Sequence, residues 1–170
     1  MVTFEDVKNN PEVQELIVGA QKQLDALGYT EHAHRHVSIV SNRAGKILET
    51  LGYDEHRIEL AKIAGYLHDI GNGVNRVDHA HSGAILAYTI LKDMGMDIKD
   101  RMEIMSAIGN HDEATGTAVS DISAALILAD KSDVHRDRVV NKNLTRFEIH
   151  DRVNYAVTEA NLKISKEERK

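Results

Sequence analysis

The stretch YLHDIGN (residues 66–72) places the imidazole of His68 beside the carboxylate of Asp69, at the end of an apolar segment that is typical of a helix. Neutral imidazole and carboxylate both suit Zn, Mn or Fe, and the second oxygen of a carboxylate can reach another ion. A His-Asp pair also occurs by chance at the polar end of an ordinary helix. The pair therefore predicts a metal site only together with further ligand residues elsewhere in the chain.

The composition favours one helical domain. The chain has 170 residues, which is enough for a single domain with a real hydrophobic core, and no linker divides it. Hydrophobic residues make up 42% and charged residues 28%, as is usual for a soluble globular protein. The single proline and the few aromatic residues favour helices over a sandwich or a barrel. We therefore expect an all-α fold in one domain that spans residues 1–170.

Charge and cysteine content exclude several classes of function. The net charge of −6 provides no electrostatic footprint for polymeric nucleic acid or an anionic membrane. The chain has no cysteine, so a metal must be held by His, Asp and Glu. It has neither a signal peptide nor an apolar run near the roughly 20 residues needed to cross a bilayer. The expected location is the cytoplasm.

Polar caps and glycines predict the helix boundaries. Thr3 with Asp6 predicts a first short helix, and Asn10 before Pro11 predicts the start of a longer one that ends at Gly28. With Thr30 as the next cap, apolar spacing predicts further helices over about 31–51, 55–69, 79–94 and 121–136. It also predicts a helix that ends near Gly109 and begins at either Asp97 or Asp100.

Two of the later segments carry additional expectations. The helix from Asp121 to about Arg136 is the most apolar, so we expect it to lie at the centre of the bundle. The C-terminal segment leaves two interpretations open. Helical spacing predicts a helix from Thr145 to about Ala156, whereas alternating apolar residues from Arg152 onward predict a short strand or hairpin.

Polar residues of metal-ligand type lie at the helix ends or interrupt the apolar faces. These residues are His36, His68, Asp69, His79, His111 and Asp130. Helical bundles build inward-facing metal centres from one or two ligands on each of several helices, as di-metal carboxylate bundles do. The six residues therefore predict a single shared centre.

The order of these residues resembles that of the HD superfamily of metal-dependent phosphohydrolases. That order is a His, then His-Asp, then two further His in two-metal members, then a distant Asp. Residues 67–71 (LHDIG) match the motif that names the superfamily, His79 with Gly83 matches its His-x3-Gly element, and residues 128–131 (LADK) match its final Asp motif. The resemblance runs from about Thr30 to Arg136.

The resemblance implies a first metal ion held by His36, His68, Asp69 and Asp130. Asp69 would bridge to a second ion, which His79 and His111 would also hold. The implied cofactors are two divalent transition-metal ions, drawn from Fe, Mn, Zn, Ni and Co. A hydroxide between the ions would then hydrolyse a phosphate ester or anhydride. The implied substrate is a nucleotide or another small phosphorylated metabolite.

Basic residues near Asp130 are candidates for binding the substrate phosphate. Lys131 follows it directly and Arg136 comes six positions later, although both could instead pair at the surface with Asp133 or Asp137. We count Lys131 and Arg136 as catalytic candidates together with Asp69. The other polar neighbours that could take part are Arg76, Asp112 and Glu113.

Neighbouring histidines compete for two of the ligand positions. His81 lies close to His79, but only His79 has the spacing to Gly83. His32 and His34 similarly precede His36, but only His36 fits the apolar register with Val40. We therefore assign the ligand positions to His79 and His36.

The chain also departs from the patterns of better-defined HD groups. Some two-metal members carry a lysine directly after His-Asp-Ile-Gly, where this chain has Asn72, so a lysine proton donor at that place is excluded. The Gly-Tyr-Pro element of cyclic-dinucleotide phosphodiesterases and the His-Asp-Glu-Asp element of alarmone hydrolases are both absent. The sequence consequently does not identify the substrate.

Two other functions are compatible with the same residues. HD-type oxygenases, such as myo-inositol oxygenase, use four His and two Asp to hold two irons that activate dioxygen. A non-catalytic module could keep a metal for structure or bind a nucleotide without turnover.

Helical surfaces such as that of the first helix could pair two copies in a homodimer.

Overall fold

The structure is a computed structural model that describes residues 2–28, 34–139 and 149–167. These residues form eight α-helices and contain no strand, which confirms the all-α prediction. The possible C-terminal strand is not formed here, because residues 152–156 are helical and residues 157–167 have no regular structure. The helices are α1 (Phe4–Lys8), α2 (Pro11–Leu27), α3 (His34–Leu51), α4 (Glu55–Leu67), α5 (His79–Asp93), α6 (Ile98–Gly109), α7 (Asp121–Ser132) and α8 (Ile149–Ala156).

Local capping contacts explain where the helices begin and end. The side-chain oxygen of Asn10 accepts hydrogen bonds from the backbone N–H groups of Glu12 (2.9 Å) and Val13 (3.2 Å), which have no partner inside the helix. Gly28 then ends α2 with φ of 79°, a conformation that favours glycine. The predicted cap Thr30 lies outside the described residues.

Helix α4 lies at the centre of the bundle and packs against α1, α3, α6 and α7. Most of its residues are buried, including Ile63 and Leu67. The expectation that the most apolar helix would be central is wrong, since Leu128 on α7 is 52% exposed. An apolar run need not be buried on all sides, and α7 buries only the face that contacts α3, α4 and α6.

The close approach of α3 and α4 depends on Gly65. A Cβ atom at this position would lie 2.8 Å from Cα and 2.9 Å from N of Ser41 on α3. Ser41 also donates a hydrogen bond from its hydroxyl to the carbonyl oxygen of Lys62 (2.8 Å). Helix α3, which carries His36, and helix α4, which ends just before His68, therefore pack with their backbones in direct contact.

Helix α7 ends at Ser132 rather than near Arg136 as predicted. Oδ2 of Asp133 lies 2.8 Å from Nδ1 of His36. The backbone carbonyl oxygen of Asp133 accepts a hydrogen bond from Nη1 of Arg138 (2.6 Å). These contacts draw the chain out of the helix and into a short 3₁₀ turn, Arg136–Arg138.

A salt bridge at Arg57 connects three helices away from this region. The guanidinium group of Arg57 on α4 contacts Glu103 on α6, and its Nε donates to Asp121 on α7 at 3.1 Å.

In the part of the chain that the structure describes, no helix combines the length and the apolar character needed to cross a membrane.

Candidate metal centre

The fold brings the six predicted ligands together from five helical segments. His36 lies on α3 and Asp130 on α7, while the others flank the ends of α4, α5 and α6. All are buried except Asp130, whose side chain is 13% exposed. The four imidazole rings form a continuous series, with centroid distances of 5.2 Å, 5.0 Å and 5.1 Å in the order His36, His68, His111 and His79.

One half of this cluster contains His36, His68 and Asp130. Oδ1 of Asp130 lies 3.2 Å from Nε2 of His36 and 3.7 Å from Nε2 of His68. Oδ2 of Asp69 faces the same two nitrogens, at 3.7 Å and 3.3 Å. His36, His68 and Asp130 are thus close enough to bind one cation together. Oδ2 of Asp69 lies beside the two nitrogens of this group.

The other half contains His79 and His111. Nε2 of His79 lies 3.6 Å from Oδ1 of Asp69, the oxygen that does not face His36. His111 forms a second possible metal-binding group with His68 and Asp69. Asp69 therefore turns one oxygen to each half of the cluster.

The orientation of the imidazole rings fits a metal centre. Nδ1 of His68 donates to the carbonyl oxygen of Gly65 (2.9 Å), and Nδ1 of His111 donates to that of Ile108 (2.7 Å). Nδ1 of His79 makes the same kind of contact 3.1 Å from the carbonyl oxygen of Arg76. A carbonyl oxygen can only accept, so Nδ1 carries the hydrogen and Nε2 keeps its lone pair. This is how proteins orient metal-binding histidines. In His79 the Nε2 atom also lies 3.1 Å from Nη1 of Arg76.

The charges of the cluster also favour a bound cation. Burial disfavours the charged form of His68, but the carboxylates of Asp69 and Asp130 outweigh it and raise its pKa to about 9. Burial, together with the charge of His68, lowers the pKa of His111 to about 4. Nε2 of His68 is buried and has no hydrogen-bond partner among the described residues. With a pKa of about 9, His68 holds an additional proton at neutral pH. A divalent ion bound to Nε2 would take the place of that proton.

Comparison with known sequences identifies the family. Residues 34–160 match the sequence model of the HD domain. The chain belongs to the HD domain family.

Two similar proteins extend this comparison. An uncharacterized protein of Methanocaldococcus jannaschii is 32% identical over a match that covers 66% of this chain and 51% of that protein, so this chain spans about half the length of the relative. The crystal structure of a predicted HD superfamily hydrolase from an uncultured Thermotogales bacterium is 31% identical. It has a TM-score of 0.57, over 73% of this chain and 67% of that one.

Glycines in the HD motif allow the ligand segments to approach. A Cβ atom on Gly71 would lie 2.0 Å from the carbonyl oxygen of His79 and 2.5 Å from the backbone nitrogen of Gly83. A Cβ on Gly83 would lie 3.2 Å from the carbonyl oxygen of His68. The backbone around His68 and Asp69 thus packs directly on the start of α5, which carries His79.

Asn72 has a role in this HD domain that the sequence did not predict. Its Nδ2 donates to the backbone carbonyl of Asp69 (3.0 Å) and to Oδ1 of the same residue (2.9 Å). Arg76 in turn donates to Oδ1 of Asn72 (3.4 Å) and lies against the ring of His79. The three-residue spacing between Asp69 and Asn72 within a tight turn is the sequence signal for this contact.

The basic candidates lie in different surroundings. Nζ of Lys131 is 3.1 Å from Oδ2 of Asp130 and 3.3 Å from Glu113, with its side chain 42% exposed. Arg136 stacks on the ring of Tyr155 and donates to the carbonyl oxygen of the same residue at 3.1 Å. Among the described contacts, none joins Arg136 to the six ligands.

The competing histidines are placed differently from the ligands. His81 is 59% exposed and lies 3.7 Å from Asp78 at the surface. His56, which is not one of these competitors, pairs with Asp100 (2.9 Å). His32 lies outside the described residues, and His34 begins α3 only two positions before His36.

Proposed function

We propose that this HD domain is a phosphohydrolase that uses two divalent metal ions to cleave a phosphate ester or anhydride. The substrate class is a nucleotide or another small phosphorylated metabolite. The observation that carries the proposal is the position of Asp69, whose two oxygens face different histidines, His68 and His79. A carboxylate in this position is suited to bridge two ions.

The first ion would be held by His36, His68, Asp69 and Asp130. The second would be held by Asp69, His79 and His111. Since the second ion has fewer protein ligands, it would keep open coordination positions for water and for a phosphate oxygen of the substrate. Such ions lower the pKa of bound water and polarise the phosphoryl group.

The protein side chains hold and orient the reacting groups. Backbone carbonyls fix the rings of His68 and His111, so their Nε2 atoms keep a constant direction. Asn72 fixes Oδ1 of Asp69 through a hydrogen bond of 2.9 Å. An amide does not act as an acid at neutral pH, so Asn72 positions this carboxylate and does not protonate the leaving group.

Two cationic groups lie beside the ligands and could bind phosphate oxygens. Lys131 contacts Asp130 on the side of the first ion, and it is exposed enough to meet a substrate. Arg76 lies against His79 on the side of the second ion. The described contacts of Arg136 are with Tyr155, so its binding to phosphate stays a prediction from the sequence.

The test begins with the metal content of the purified protein. Metal-depleted chain is loaded with Mn, Fe, Zn, Ni or Co, and the ions per chain are counted. Phosphate release is then followed from a panel of nucleotides and phosphate esters, with oxygen excluded. We expect about two ions per chain and steady product formation.

Asp69→Ala should remove both metal and activity. Asp121→Ala is the matched control, because Asp121 is paired with Arg57 and does not belong to the ligand set. Full metal and full activity in Asp69→Ala would contradict the proposal. Oxygen consumption without phosphate release would instead identify an oxygenase, and tight nucleotide binding without turnover would identify a binding module.

A further inference from the structure

His36 differs from the other three histidines of the cluster in what holds its Nδ1 atom. The other rings contact backbone carbonyl oxygens, whereas Nδ1 of His36 lies 2.8 Å from Oδ2 of Asp133. His36 is completely buried, and the side chain of Asp133 is only 3% exposed. A carboxylate in this position accepts the Nδ1 hydrogen and makes Nε2 a stronger metal donor.

Asp133 is itself fixed in place. Arg138 donates from Nη1 to the Asp133 carbonyl oxygen (2.6 Å), and its Nε lies 3.8 Å from Oδ2 of the same residue. Arg35 approaches the carboxylate from α3, with Nη1 3.7 Å from Oδ2. Two guanidinium groups therefore lie within 4 Å of this buried carboxylate, whose Oδ2 faces His36.

The segment that carries Asp133 is held by the C-terminal helix. The backbone N–H of His135 donates to Oδ1 of Asn154 (3.2 Å), and the backbone N–H of Arg136 donates to the carbonyl oxygen of Val157 (2.8 Å). These contacts lie outside the six-ligand cluster. They connect α8 to the residues that follow Asp130.

We propose that Asp133 is a positioning residue for the metal ligand His36, and that Arg138 holds Asp133 in the orientation this role requires. The proposal rests on the metal-binding part of the proposed function. One short segment then supplies both a ligand, Asp130, and the group that orients a second ligand on a different helix. Removal of such an orienting group typically lowers metal affinity about 10- to 100-fold.

The test measures metal affinity in the full chain by competition with a chelator, using Co²⁺ as the probe. Asp133→Asn keeps the size of the side chain and removes its charge. We expect one of the two bound ions to be held about 10- to 100-fold more weakly. Asp133→Glu, which restores a carboxylate, should recover part of the affinity.

Asp121→Asn is the matched control, since it likewise neutralises a paired aspartate but leaves the ligands alone. It should bind Co²⁺ as the unchanged protein does. Arg138→Gln is a second variant, which keeps the carboxylate of Asp133 and should weaken binding to a smaller extent. It serves as the test if Asp133→Asn does not fold.

Unchanged affinity for both ions in Asp133→Asn and Arg138→Gln would overturn the proposal. An equal loss in Asp121→Asn would also overturn it, because the effect would then come from general destabilisation. Turnover by the unchanged protein is measured in parallel. If the protein binds two ions but hydrolyses no phosphate compound, the proposed reaction fails while the role of Asp133 still stands.

Discussion

Replacing Gly65 with alanine tests whether the spacing of α3 and α4 controls the metal centre. The new Cβ would lie 2.8 Å from Cα of Ser41, whereas carbon atoms pack best at about 3.5 Å or more. Helix α3 must therefore move by about 0.7 Å, because the contacted atoms are backbone atoms. His36 would move with α3, away from His68.

Two opposing effects determine the stability of this variant. Overpacking costs about 1–3 kcal/mol, and the better helix propensity of alanine recovers about 1 kcal/mol. We expect a net loss of about 1 kcal/mol in the free energy of unfolding, and a lower melting temperature by about 2–4 °C. A displacement of this size exceeds the roughly 0.5 Å within which functional groups must be held, so metal affinity should also fall.

Gly19→Ala is the matched control for this experiment. Gly19 lies within α2, and a Cβ there would meet nothing within 4 Å. This variant should be more stable by up to about 1 kcal/mol and should bind metal normally. Urea denaturation and metal titration of both variants provide the measurement. If Gly65→Ala matches Gly19→Ala in stability and in metal affinity, the argument from helix spacing is refuted.

Three further predictions concern individual side chains. Asn72→Ala should lower metal affinity about 10-fold, since Oδ1 of Asp69 loses its hydrogen bond, and a chelator titration would reveal it. Burial opposes the ionisation of Asp121, but Arg57 outweighs it and lowers the pKa of this carboxyl below 3.8. The resulting stability is present above pH 3.8 and is lost as the pH falls through the lower folded value, so Asp121→Asn should reduce the stability difference between pH 6 and pH 3 in denaturation experiments. Lys131→Ala should raise KM for a phosphorylated substrate while metal content stays unchanged; an unaltered KM would contradict a contact between this lysine and phosphate.

Local signals explain which parts of the fold could be predicted from the sequence. Asn10 and Gly28 define the ends of α2 through contacts with residues only a few positions away. The N-caps Asp54, Asp97 and Ser120 act in the same local way at three other helices. Such contacts depend on short-range backbone geometry, so the sequence pattern is sufficient to locate them.

Long-range contacts explain what the sequence could not predict. The end of α7 depends on Asp133, whose partner His36 is 97 positions away along the chain. The central position of α4 likewise depends on how the other helices pack around it. At the C-terminus the apolar residues near Val153 fit two periods, and helical hydrogen bonding prevails in residues 149–156.

The six clustered residues could be picked out from their order along the chain, whereas the groups that orient their side chains could not. The backbone carbonyl of Gly65 has no sequence signature, because every residue has a carbonyl group. Asp133 is an ordinary aspartate by composition, and only its burial beside His36 distinguishes it. Roles that depend on proximity become visible only in three dimensions.

The carbonyl groups that hold His68 and His111 belong to the last turns of the helices that precede them. Each ring is therefore aimed by its own segment, and this contact can form before the helices meet. Only the distances between segments depend on the assembled bundle. An ion bound to these ligands would bind the folded chain alone and add about 2.7 kcal/mol to the free energy of unfolding at 100 times its Kd. The supply of free metal would thus determine how firmly α3 to α7 are held together.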